Sequence, residues 1–152
     1  MNLLLSCAGW QAESWVDHLP RLLEPMGVYS LRAQTGTEAS RVIKANPIHI
    51  AVVDLGLPLD AKADPAAAEA EPELAEGGPR ILELLARLTE PPPVVAIKRS
   101  RTRRDDRRDM GEALRLGAFA VIDRPRDVND LNLMLEVLRR VLERHYRGKW
   151  PG

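Results

Sequence analysis

Apolar positions along this chain switch period at regular intervals. Short apolar runs alternate with stretches in which apolar side chains recur every three or four positions, the marks of strands and amphipathic helices in turn. Leu3 to Ser6 is a short apolar strand. From Ser14 to Met26, Trp15, Leu19, Leu22, Leu23 and Met26 fall at helical spacing. Pro20 predicts either a kink in that helix or a late start with Asp17 as its cap. Val28 to Ala33 alternates and reads as an outer strand. Thr35-Gly36-Thr37-Glu38 turns into a second helix, with Thr37 the expected cap, which stops before Asn46-Pro47.

The run His49-Ile50-Ala51-Val52-Val53-Asp54 is apolar without alternation and delivers one carboxylate at its end. Such a run belongs to a strand covered on both faces, the habit of a parallel sheet. Leu59 to Glu76 breaks the rhythm: it is rich in Ala, Glu, Asp and Pro, with six acids against Lys62. A third helix spans Pro79 to Leu88 and a fourth strand Pro93 to Ile97. A charged loop from Lys98 to Arg108 holds seven cations against Asp105 and Asp106. A helix to Leu116, a strand from Ala118 to Ile122 and a long helix from Val128 to His145 complete the order.

Five strands alternating with five helices predict an α/β fold, a doubly wound parallel sheet. The flavodoxin-like (βα)5 topology, strand order 2-1-3-4-5, suits that count, and its chemistry collects beyond the carboxyl ends of the strands. Asp54 stands at such an end. The expected organisation is one domain over residues 1–146, with 59–76 an acidic insertion and 147–152 a tail.

Composition narrows the function classes. The 22 basic and 22 acidic residues cancel, which argues against whole-domain attraction to nucleic acid or to an anionic membrane. Cys7 is alone, so no disulfide framework or thiolate metal cluster is expected. No apolar stretch approaches the roughly 20 residues that span a bilayer. The apolar start Met1-Asn2-Leu3-Leu4-Leu5 lacks a basic flank and stops too soon for a signal peptide. A cytoplasmic protein is expected. His18, His49 and His145 are scattered without metal-ligand spacing, and no nucleophile motif or glycine-rich phosphate loop stands out, so no enzyme is expected.

Six pieces in order resemble the receiver domain of bacterial two-component response regulators. They are Thr35-Gly36-Thr37-Glu38-Ala39, Asn46-Pro47, Val53-Asp54-Leu55-Gly56-Leu57-Pro58, Gly77-Gly78-Pro79-Arg80-Ile81-Leu82, Pro93-Val94-Val95, and Leu116-Gly117-Ala118 leading to Arg124-Pro125. The resemblance covers nearly the whole length. It implies that Asp54 is the phosphoacceptor candidate and that Pro58 and Pro125 are structural turn residues. It also implies two acids ending the first strand to hold magnesium, a hydroxyl ending the fourth, and a lysine before Pro125. Their shared purpose is to neutralise charge on the transferred phosphoryl group.

Most of these helpers are absent. Ser6 and Cys7 occupy the expected acid positions, and the register counted back from Gly27 lands on Trp10 and Gln11 instead. Glu13 and Asp17 could serve only after remodelling of the loop. Lys98 stands where the hydroxyl belongs, with Ser100 and Thr102 out of register, Arg124 replaces the lysine, and Val121 replaces a frequent aromatic. No cofactor is expected, and magnesium only if an alternative acid site exists, because a hard cation needs carboxylate oxygens.

These substitutions predict a degenerate receiver in which Lys98 and Arg124 hold the Asp54 carboxylate by charge-assisted hydrogen bonds. The plainer alternative is an aspartate that caps the following turn. The resemblance implies a signalling partner, a histidine kinase or a downstream output protein. The face of Met110, Leu114, Phe119, Val121 and the last helix is the expected surface for such contacts or for a homodimer. Two further readings stay open: a working phosphoacceptor with a rebuilt metal site, and phospholigand or nucleic-acid binding through the arginine-rich loop 98–108. No aromatic residues are interleaved there for base stacking. The acidic loop 59–76 is also expected to lie over that basic loop as a loose, salt-sensitive lid.

Overall fold

The computed structural model describes residues 1–7, 14–59, 77–98 and 103–147. Among them the chain forms β1 (Asn2–Ser6), α1 (Ser14–Leu23), β2 (Tyr29–Ala33), α2 (Gly36–Ala45) and β3 (Ile50–Asp54). Then come α3 (Gly77–Ala86), β4 (Val94–Ile97), α4 (Arg103–Arg115), β5 (Ala120–Ile122) and α5 (Val128–His145). The strands make one parallel sheet in the order β2-β1-β3-β4-β5. This is the doubly wound topology that the alternating pattern predicts.

Side chains leave alternate faces of each strand and feed two cores. Leu3, Leu5, Ile50, Val52, Val95 and Ile97 pack with Leu19, Leu23, Leu131, Met134, Leu138 and Val141, placing α1 and α5 on one face. Leu4, Ala51, Val53, Val94 and Ala96 pack with Ala39, Ile43, Ile81, Leu82, Leu85 and Ala113, placing α2, α3 and α4 on the other. Every residue of β3 and β4 is buried, whereas β5 at the sheet edge is half-buried throughout.

Several boundaries differ from expectation. Pro20 lies inside α1, which begins at Ser14, so of the two expected arrangements the late start with Asp17 as cap is not the one adopted. Leu19 and Leu23, both buried, anchor it against the sheet and outweigh the one backbone bond a proline forfeits. A 3-10 turn, Glu24–Met26, then ends at Gly27, whose φ of 75° is left-handed and accessible to glycine at little cost. The cap of α2 is Thr35, not Thr37: its side chain accepts the Glu38 N–H at 3.1 Å. Thr37 instead donates its hydroxyl to the Leu59 carbonyl at 3.0 Å. Helix α3 begins two residues before Pro79, and α4 already includes residues 103–108 of the stretch read as a loop.

The residues on either side of 60–76 are pinned beside the start of α2. Gly36 and Thr37 donate backbone N–H groups to the carbonyls of Pro58 and Leu59, and Gly77 donates to Leu57 at 2.7 Å. A Cβ on Gly36 would lie 3.1 Å from the Gly77 Cα and 3.5 Å from the Leu59 Cα, so Leu59 and Gly77 both lie against the start of α2. At the opposite end of the sheet, Tyr146, just past α5, donates its hydroxyl to the His49 carbonyl at 2.5 Å. No helix among the described residues is long and apolar enough to cross a membrane.

Candidate functional site

The site is built at the carboxyl end of β3. Asp54 is paired in register with Ile97 on β4, and Ile97 with Ile122 on β5. Ile97 and Ile122 face the core shared with α1 and α5, while Ala96 and Val121 face the other. Carrying this alternation past the strand ends sends Arg124 to the same side as Ile122, and Lys98 and Asp123 to the opposite side.

The contacts follow that parity. Arg124 Nη2 meets Asp54 Oδ2 at 2.6 Å, with 2% of the Asp54 side chain and 21% of the Arg124 side chain exposed. The other carboxylate oxygen, Oδ1, accepts the Gly56 N–H at 2.8 Å and closes the turn after the strand. Asp54 thus plays both roles weighed from sequence: one oxygen caps a turn and the other takes a cation. Such a short, charge-assisted bond in a water-poor site is among the stronger polar contacts a protein makes.

Lys98 is the exception to the expected trio. Its Nζ pairs with Asp123 Oδ1 at 3.4 Å, an exposed acid immediately before Arg124. Period-two alternation is the reason, because Lys98 follows Ile97 and therefore turns away from the side that Asp54 faces. The strand register supplies this signal, because Asp54 aligns with Ile97 and the next residue has the opposite parity.

The acid positions of the first strand hold other chemistry. Ser6 is buried and donates its Oγ to the Val52 carbonyl at 3.3 Å. Cys7 is buried beyond it, its N–H donated to the Ala33 carbonyl at 3.1 Å. Asp17 lies exposed on α1 and pairs with Arg32 on β2 at 2.9 Å. Glu13, Ser100, Thr102 and the loops joined in the expected lid fall outside the described residues, apart from the ends already placed. Among the described residues no three His, Cys, Asp or Glu side chains converge as a metal-binding group. Among the described residues one carboxylate held by an arginine offers less than magnesium needs, since that ion asks for several oxygen ligands in octahedral geometry.

The turn that carries Asp54 is fixed from below by glycine. A Cβ on Gly78 would fall 2.6 Å from the Asp54 carbonyl oxygen and 2.7 Å from the Leu55 Cα. Only a residue without a side chain lets α3 start directly against this backbone. Pro58 follows the turn half-buried, and Pro125 is buried at the start of the connection into α5.

No protein-family model matches this chain, and no curated protein does. Solved structures do match. A two-component response regulator from Clostridium difficile superposes with a TM-score of 0.67 at 15% identity, over 95% of this chain and 98% of that one. A CheY-like response regulator receiver domain protein from Methanospirillum hungatei JF-1 gives 0.64 at 18% identity, over 95% of each chain. A response regulator from Burkholderia pseudomallei, solved with a phosphorylated aspartic acid, a calcium ion and citrate, gives 0.58 at 17% identity, over 91% of this chain and 74% of that one. The chain has the fold of a response-regulator receiver domain, with an arginine seated on the aspartate at the end of its third strand.

Proposed function

We propose that this chain is a receiver-like module of two-component signalling in which Arg124, not a phosphoryl group, holds Asp54. It binds other proteins rather than catalysing a reaction. The observation that carries this reading is the Arg124–Asp54 pair at 2.6 Å, formed where neighbouring positions supply Ser6 and Cys7 rather than acids.

Phosphoryl transfer to a carboxylate needs a free carboxylate oxygen as nucleophile and positive charge around the equatorial phosphoryl oxygens. Here Oδ2 is committed to a guanidinium and Oδ1 to the Gly56 N–H. Attack would require breaking the ion pair at a carboxylate only 2% exposed. The Burkholderia protein combines a phosphorylated aspartate with a calcium ion; among the described residues of the present chain no acid set for such a cation converges. The Asp54–Arg124 bond ties β3 to the connection between β5 and α5, and so supports a fixed surface independent of a kinase.

The test is incubation of the full chain with acetyl phosphate or phosphoramidate and magnesium, followed by intact-mass analysis. The reading expects an unmodified mass under conditions that fully modify a conventional receiver. Stoichiometric phosphorylation mapped to Asp54 would overturn it in favour of a working phosphoacceptor with a rebuilt metal site.

A further inference from the structure

At the amino ends of the strands, opposite Asp54, one residue joins three elements. Asn2, which opens β1, grips the connection before β3 through three bonds. Its backbone N–H is donated to His49 Nδ1 at 2.9 Å and its Nδ2 to the Pro47 carbonyl at 2.9 Å, while its carbonyl accepts the His49 N–H at 3.0 Å. The His49 carbonyl in turn accepts the Tyr146 hydroxyl. Tyr146 closes α5 with its N–H on the Leu142 carbonyl at 2.9 Å, and it packs against the core shared with α1. His49 therefore holds β1 through its ring and the end of α5 through its backbone. It is half-buried, so water reaches it.

A ring nitrogen that accepts a backbone N–H must be unprotonated, which fixes the neutral tautomer with its proton on Nε2. Charging the imidazole puts a proton on Nδ1 and sets two donors face to face across 2.9 Å. The charged and titratable groups around this junction come from three sides. From β1 comes the Met1 ammonium, bonded to the Gly27 carbonyl at 3.1 Å and a like charge for a protonated His49. From the end of α5 come Tyr146 and His145, whose rings meet edge-on at 4.7 Å. From the connection before β4 comes Glu90, which acts on Tyr146. Burial and, to a smaller extent, the Met1 ammonium lower the His49 pKa from 6.5. Burial and then Glu90 raise that of Tyr146 above 10.0, so its hydroxyl keeps the donated proton wherever His49 titrates.

We infer that His49 is a pH-sensitive latch, whose neutral ring holds the end of α5 against β3 and whose protonation releases Tyr146. Repulsion between the two donors loosens the 47–49 connection on Asn2, and the carbonyl that anchors Tyr146 belongs to that connection. Hydrogen bonds weaken steeply with distance and angle, so a small shift suffices. The last turn of a helix opens most readily, because its final carbonyls lack intrahelical partners. The closed state prefers the neutral ring, so the latch is complete above 6.5 and opens as pH falls from there through the lowered value. The device goes beyond the proposed function, since it lies at the far end of the sheet from Asp54 and works whether or not that residue takes a phosphoryl group.

The test is NMR of the full chain with labelled tyrosine and histidine rings, titrated from about pH 8 to about pH 5. Tyr146 and the 63% exposed Tyr29 are the two tyrosines of the sequence, so Tyr29 serves as the internal reference. The Tyr146 ring signal is expected to move toward that of Tyr29 as His49 charges, below 6.5. Amide protection of residues 142–146, corrected for intrinsic exchange, is expected to fall by up to about tenfold per pH unit in the same window. His49→Asn, whose amide oxygen accepts the Asn2 N–H without titrating, is expected to abolish both changes, and His145→Gln to keep both. Tyr146→Phe is expected to raise the His49 pKa toward 6.5, because the coupling is reciprocal. Urea midpoints at about pH 8 establish that the variants fold. The parent titration decides without any variant: His49 charging while Tyr146 stays unmoved would overturn the inference. So would a Tyr146 transition that survives His49→Asn or disappears in His145→Gln, or a His49 pKa indifferent to Tyr146→Phe.

Discussion

Replacing Arg124 with methionine removes the guanidinium and keeps most of the apolar stem. The Asp54 carboxylate, 2% exposed, would then retain the Gly56 N–H on Oδ1 but lose the ion pair on Oδ2. Removing one partner of a buried ion pair costs about 3–5 kcal/mol. Arg124 is 21% exposed and the site is therefore not fully dry, so a loss of about 2–4 kcal/mol is expected. Asp54→Asn leaves the turn cap able to form and an arginine that can reach water, so its cost is expected to be smaller, about 1–2 kcal/mol. The double variant Asp54→Asn/Arg124→Met removes both charges and is expected to recover part of the loss, with a coupling energy of about 2 kcal/mol. Urea denaturation of the four proteins, with a common slope, measures the cycle. A coupling energy below about 0.3 kcal/mol, or Arg124→Met as stable as the parent within about 0.5 kcal/mol, would refute the pair as a structural lock.

Four other perturbations test the frame around the site. Gly78→Ala places a Cβ within 2.8 Å of the Asp54 oxygen, the Leu55 Cα and the Leu55 oxygen, all backbone; a loss of about 1–3 kcal/mol is expected from urea unfolding. Thr35→Ala is expected to cost about 1 kcal/mol through loss of the α2 cap, and Thr37→Ser, which keeps a hydroxyl for the Leu59 carbonyl, to be near neutral. His49 accepts the Asn2 N–H on Nδ1 at 2.9 Å, and burial, with a smaller contribution from the Met1 ammonium, lowers its pKa from 6.5. The folded state thus prefers neutral imidazole, so this contribution to stability is complete above 6.5 and is lost as pH falls from there through the lowered value. His49→Asn is expected to flatten the fall in the urea midpoint across that window; an unchanged slope would remove His49 as its source.

The fold was legible because each element declares its period. The unalternating run 50–54 could only be a strand covered twice, and β3 is buried along its whole length. Helix ends were less legible. Thr35 and Thr37 carry the same hydroxyl, and what separates them is a tertiary contact, the Leu59 carbonyl that occupies Thr37. The start of α1 was hidden for a related reason, since the packing of Leu19 and Leu23 carries the helix through Pro20. At the site, Arg124 could be placed from the Gly117-Ala118 register, and the structure brings it to Asp54. Lys98 was grouped with it by sequence proximity to a strand end, although strand parity sends it toward Asp123.

The central claim is that Asp54 belongs to Arg124 rather than to a phosphoryl group. The most direct measurement is a crystal structure of the chain grown with magnesium and beryllofluoride, which mimics a phosphorylated aspartate. The expected result is an Asp54 carboxylate still bonded to the Arg124 guanidinium, with no beryllofluoride on Oδ2. Beryllofluoride on Asp54, with a magnesium ion beside it and Arg124 displaced, would contradict it.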